Sequence, residues 1–142
     1  MVLHGARRRA VLVTHGGGHT SSDAFLHLPD DRVALMGDLL IVGGHPGIGH
    51  GDCAEWRRII AEVRRLDLER LVPGHGPVGT PADLEAEDAY LDHLQGLARA
   101  VRDGELTRDE ALHRPLPAPF ASWAAPNILA DNLRALLPPP AD

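Results

Sequence analysis

The sequence predicts an α/β (α+β) chain, a mixed sheet with helices on one face. Three observations carry this. The apolar runs Ala10-Val11-Leu12-Val13, Val33-Ala34-Leu35-Met36 and Leu71-Val72 are short, and each gives way to glycine within a few residues. A segment of helical period, residues 52–66, leads into the last of these runs, which is the crossover order of an α/β layer. Aromatic residues make up only 4% of the chain against 44% hydrophobic, so its core is aliphatic.

Residues 1–9 show no clear pattern. Residues 10–14 read as a strand, followed by Gly16-Gly17-Gly18 and His19. Residues 24–28 and 32–36 are strands joined by the turn Pro29-Asp30-Asp31, and so short a connection pairs them as a hairpin. Residues 39–51 read as a loop crowded with glycine. The helix over 52–66 opens on Asp52 as N-cap, with Glu55 three positions on, close to a capping box. Trp56, Ile59, Ile60, Val63 and Leu66 share one of its faces. Residues 70–72 form a short strand ending at Pro73. Thr80-Pro81 opens a helix that runs to Asp103 and stops at Gly104, with Leu84, Leu91, Leu94, Ala98 and Val101 as its apolar stripe. Thr107 to Glu110 is another capping box. Pro115, Pro117 and Pro119 break the chain before a last helix over 128–137, which Pro138-Pro139-Pro140 terminates.

The 142 residues favour one domain, and no internal repeat is present. Net charge is −6 with His neutral, and all 14 basic residues are arginine. That balance argues against a nucleic-acid surface, and Arg7-Arg8-Arg9 reads as a solvated terminal run. One cysteine excludes an intramolecular disulfide. Cys53 sits at a helix start without an evident partner base and reads as an inert small residue. No apolar stretch reaches the length of a membrane span, and a cytoplasmic protein is the default expectation.

Candidate chemistry lies at the ends of the apolar runs. His19 follows the first, Asp38 the second and His75 the third. Open α/β sheets place their chemistry at such strand ends, so these three side chains are expected to converge on one rim. Imidazole nitrogen and carboxylate oxygen are zinc donors, and three of them leave a fourth position for water. Asp23 reads either as the partner that orients a ligand imidazole or as a turn or N-cap carboxylate. His15 is a candidate substitute ligand. His45 and His50, in the glycine-rich loop, are candidates to line a substrate entrance or supplement the metal site. His27, His93 and His113 read as structural or exposed.

The segments Gly18-His19-Thr20-Ser21-Ser22-Asp23, Gly37-Asp38 and Pro73-Gly74-His75-Gly76, in that order, resemble the metallo-β-lactamase-fold hydrolase superfamily from about Val11 to Gly79. The resemblance implies one or two zinc ions, with His19 a ligand of the first, Asp38 bridging both and His75 binding the second. It implies zinc-bound hydroxide attacking an ester, thioester, lactam or similar bond of a small-molecule substrate. The signature H-x-H-x-D-H of that family is absent from the chain. The chain therefore resembles the C-terminal half of such a domain, with a core over 10–104 and a helical extension over 105–137. Half of a four-layer αββα sandwich exposes the inner face of its sheet. The expected partner is a second copy, giving a homodimer, or a separate N-terminal half. The alternative function is a non-catalytic truncated module that folds by dimerisation or partner binding and holds at most one residual metal.

Overall fold

The computed structural model describes residues 1–4 and 7–139. Among these residues the sheet has five strands in the order β1-β2-β3-β4-β5. They are β1 (Val2–His4), β2 (Arg9–His15), β3 (Asp23–Leu28), β4 (Val33–Ile41) and β5 (Arg70–His75). Neighbours from β1 to β4 pair antiparallel, and β5 pairs parallel to β4. Consequently β2, β4 and β5 run in one direction, and their C-terminal ends share one edge of the sheet.

The helices α1 (Cys53–Val63), α2 (Pro81–Arg102), α3 (Arg108–His113) and α4 (Pro126–Leu136) follow. They cover one sheet face only. Side chains alternate between faces along a strand. Ala34, Met36 and Leu71 are fully buried beneath the helices, whereas Leu35 and Val72, facing the other way, are 38% and 37% exposed. The structure is thus a mixed sheet with helices on one face, as the sequence predicts.

Local signals set the helix starts. The Asp52 carboxylate accepts from the N–H groups of Ala54 and Glu55. Glu55 turns outward to Arg58 instead of back to Asp52, so the expected box is only half closed. Thr80 with Asp83 and Thr107 with Glu110 both close capping boxes. Each such cap contributes about 1 kcal/mol. α1 and α2 are tied by Arg57, whose guanidinium reaches Asp88 at 2.7 Å and Asp92 at 2.6 Å. Ala111, Phe120, Leu133 and Leu137, from the C-terminal segment, join the same core cluster as Trp56 and Leu94. Pro140, part of the proline run expected to stop the last helix, lies outside the described residues.

The strands depart from expectation where pairing, and not local pattern, decides their length. β1 forms although its residues show no periodicity, because Leu3 pairs with Ala10 on β2. β4 continues five residues past Met36, and β5 continues through Pro73 to His75. Pro73 is tolerated because β5 is an edge strand, where a missing N–H breaks no ladder. The returning chain partly covers that edge through paired hydrogen bonds between Leu71 and Gly79. Among the described residues no helix is long and apolar enough to cross a membrane.

One carboxyl is buried in the helix layer. Glu87 of α2 accepts the Ile41 N–H at 3.0 Å, while its second oxygen has no partner. Burial raises its pKa well above the ordinary value of 4.5. The folded state then holds a proton that the unfolded chain releases, so this group's stabilisation is full below the unfolded pKa. It is lost as pH rises toward the folded value. Glu87→Gln keeps an acceptor for Ile41 and removes the titration. Urea unfolding as pH rises from about 4.5 to neutrality should show the variant gaining steadily on the wild type. Parallel pH profiles for the two proteins would contradict this account.

Candidate metal centre

The shared edge brings His19, Asp38 and His75 together. His19 Nε2 lies 3.9 Å from Asp38 Oδ2, and His75 Nε2 lies 3.4 Å from Asp38 Oδ1. Each carboxylate oxygen therefore faces a different imidazole. Asp38 and His75 stand within irregular strand ends and not beyond them. The β4–β5 register shifts between Leu35 and Gly37 and again between Gly37 and Ile41. Gly37 has a φ of 54°, a left-handed conformation that glycine adopts without strain. Across the ladder, Gly74 lets the carboxylate approach, because a Cβ there would sit 2.1 Å from Asp38 Oδ1.

His19 is set differently, on the loop after β2. The Asp52 N–H donates to Gly18 O, which ties that loop to the start of α1. The imidazole stands edge-on to Trp56, with ring centroids 5.3 Å apart. Trp56 is itself fixed by its indole N–H donating to Leu39 O. A core tryptophan thus backs a site histidine, a role its place on the helix face does not announce. His19 Nδ1 is buried without a hydrogen-bond partner.

Neighbouring donors around a tetrahedral zinc lie roughly 3.3 Å apart, given zinc bonds of about 2.0–2.1 Å. The two His–Asp separations are close to that spacing, so the donor chemistry fits. Among the described residues, however, no three His, Cys, Asp or Glu side chains are grouped to hold an ion as they stand. The physical reason is the split across Asp38: the three side chains form two corners of two donors each. They do not form the single cage that three zinc donors with an open fourth position would make.

The family model described as the metallo-beta-lactamase superfamily matches residues 3–75, just over half of the chain. The chain belongs to this superfamily. It is 27% identical over 84 residues to the Beta-lactamase-like protein 2 homolog of Caenorhabditis elegans, a match covering 59% of this chain and 28% of that protein. Among solved structures it is similar to a metallo-beta-lactamase from Pontibacter korlensis, with 23% identity, a TM-score of 0.58, and 65% of this chain and 45% of that one covered. FIM-1 from Pseudomonas aeruginosa, in a mono-zinc form, gives 24%, 0.53, 59% and 39%. A double mutant of the sec-alkyl sulfatase PisA1 gives 19%, 0.73, 96% and 24%. The chain thus spans less than half the length of each. These structural likenesses speak for the fold, and the last takes in the C-terminal helices as well.

Within this metallo-beta-lactamase fold the remaining candidates separate. The Asp23 carboxylate accepts from the Thr20 N–H at 3.0 Å and the Thr20 hydroxyl at 2.8 Å. It closes the turn after His19 and does not orient an imidazole. His15 stacks on Phe25 at 5.8 Å and is not among the residues that line the cleft with the three donors. His50 is exposed and lines a separate groove with His19 and Thr20. His45 lines the cleft beside Asp38 but is 4% exposed, packed against Tyr90 and Trp123. Burial lowers its pKa, which favours the neutral imidazole. Burial also pushes the Cys53 thiol up to about 11, which makes it a poor nucleophile.

Asn132 lies outside the residues that the sequence singles out. This side chain of α4, 1% exposed, accepts the Ile48 N–H at 2.9 Å and donates to Pro46 O at 2.7 Å. It pins the glycine-rich loop against the helix layer. An asparagine inside a helix is unfavourable by propensity, and that mismatch was the available signal. Asn132→Ala leaves two buried backbone groups unpaired and should cost roughly 2–4 kcal/mol in urea unfolding, with faster amide exchange at Ile48. Unchanged stability and exchange would show that water satisfies the loop instead.

Proposed function

We propose that the chain contributes the His19, Asp38 and His75 ligands of a zinc-dependent hydrolase acting on an ester, thioester, lactam or similar acyl bond. The observation that supports this is the Asp38 carboxylate lying between two imidazoles, with one nitrogen facing each oxygen. Bound zinc supplies Lewis acidity toward water and a substrate oxygen. This chain's own part is positional. Asp38 couples the two corners, Trp56 holds the His19 ring, and the pinned loop walls one side. Both corners need further donors from beyond these three residues, in keeping with the absent H-x-H-x-D-H motif. The side chains of Asp38 and His75 are 45% and 75% exposed, so a covering layer would strengthen the site.

Zinc content after dialysis tests this reading. The wild type should retain zinc, and Asp38→Ala should weaken binding by at least about 10-fold, the loss seen even for residues that only support ligands. Helix content should be unchanged. A wild type that binds no zinc and melts identically in chelator would sink the reading.

One observation favours a second, non-catalytic reading, in which the chain is a module that folds by self-association. Leu12, Leu26, Leu35 and Val72 stand in register across β2 to β5 on the uncovered face. Leu28 and Val33 continue the same face, and Arg70, in register with Val33, borders it. A row of aliphatic side chains without charge is self-complementary under a two-fold axis, and sheets pack face to face about 10 Å apart. We assign this face to a second copy. Light scattering at micromolar concentration should give a dimer, and Leu35→Arg a monomer. A folded wild-type monomer would rule the assignment out, as would a requirement for a different polypeptide.

A further inference from the structure

We propose that the cleft beside Asp38 receives an uncharged aliphatic group of the substrate, with Ile128 as the residue that selects it. This deepens the hydrolase reading and rests on it. The cleft measures about 370 Å³, within the range of small-molecule sites. His19, Asp38 and His75 form one side of it, and Ile41, Val42 and Ile128 belong to the rest of its lining. No arginine is among the lining residues, and the chain has no lysine. His45, the remaining histidine of the lining, favours the neutral form through burial. In the metal-free cleft a phosphodiester or carboxylate would lose water opposite the Asp38 carboxylate, with no arginine or lysine of this chain to pair with it. An aliphatic group instead gains about 0.8 kcal/mol for each buried methylene, roughly a 4-fold gain in affinity.

The apolar wall is built into the fold. The Ala124 N–H donates to Gly43 O at 2.9 Å, and the His45 N–H donates to Ala124 O at 3.0 Å. The segment before α4 is thereby bonded to the glycine-rich loop on both sides. Ala125, which also lines the cleft, has a φ of 62°. A non-glycine residue rarely holds that conformation unless its surroundings impose it. Pro126 then starts α4, with Ile128 in its first turn. Asn132, one turn further on, fixes the same helix to Pro46 and Ile48. Ile128 therefore faces the cleft from a doubly anchored element.

The test measures binding without turnover, by NMR shift titration with acetamide, hexanamide and hexanoate in the presence of chelator. Hexanamide should bind at least about 10-fold tighter than acetamide and tighter than hexanoate. Ile128→Asp should lose that preference, and Ile128→Leu should keep it. If the aspartate prevents folding, Ile128→Ser carries the same comparison. Equal binding of hexanoate, no dependence on chain length, or an unaffected Ile128→Asp would overturn the proposal. Hexanamide selectivity without zinc binding or ester hydrolysis would instead count against the hydrolase reading alone. Zinc-dependent hydrolysis of 4-nitrophenyl acetate without hexanamide selectivity would do the reverse.

Discussion

Strand direction is the constraint on which the site depends. Two antiparallel pairings in succession return β4 to the direction of β2, and the parallel ladder gives β5 that direction too. Three segments far apart in sequence therefore finish at one edge. The parallel β4–β5 pairing needs a crossover, and α1 supplies it. Trp56, Ile59, Ile60 and Val63 bury that helix on the sheet. The energy that gathers two imidazoles and a carboxylate thus comes from aliphatic packing beneath the sheet. The exposed Asp38 and His75 side chains contribute little of it.

Close backbone approach refines what strand direction begins. Glycine at 37 accommodates the bulge, and glycine at 74 leaves room for the carboxylate. On the other side of the cleft the C-terminal segment plays the anchoring part, through Ala124 and Asn132. The segment over 105–137 is more than an appendage: it shares the core and supplies a wall of the cleft. The match to the metallo-beta-lactamase superfamily, over residues 3–75, takes in His19, Asp38 and His75.

What was legible in the sequence is what local chemistry decides. Asp52, Thr80 and Thr107 announce helix starts because their side chains bond to their own first turns. His19, Asp38 and His75 could be singled out because each is flanked by glycine after an apolar run. The extra lengths of β4 and β5 were not legible, since they depend on register against a distant partner. The division of the donors about Asp38 was not legible from spacing, and only the family resemblance implied it. Asn132 was not singled out, because only tertiary packing sets it against Pro46 and Ile48. Asp23 was ambiguous by residue type, and the nearness of Thr20 decided its role.

On the proposed readings, the uncovered sheet face takes a second copy and the two open corners take further donors. The centre of the account is that Asp38 is the shared ligand at an edge made by strand direction. Anomalous diffraction at the zinc edge, on crystals grown with zinc, tests this most directly. The account predicts a peak about 2.0–2.2 Å from an Asp38 oxygen and bonded to His19 or His75. Zinc bound only at His50, His113 or other surface histidines, with Asp38 untouched, would contradict it.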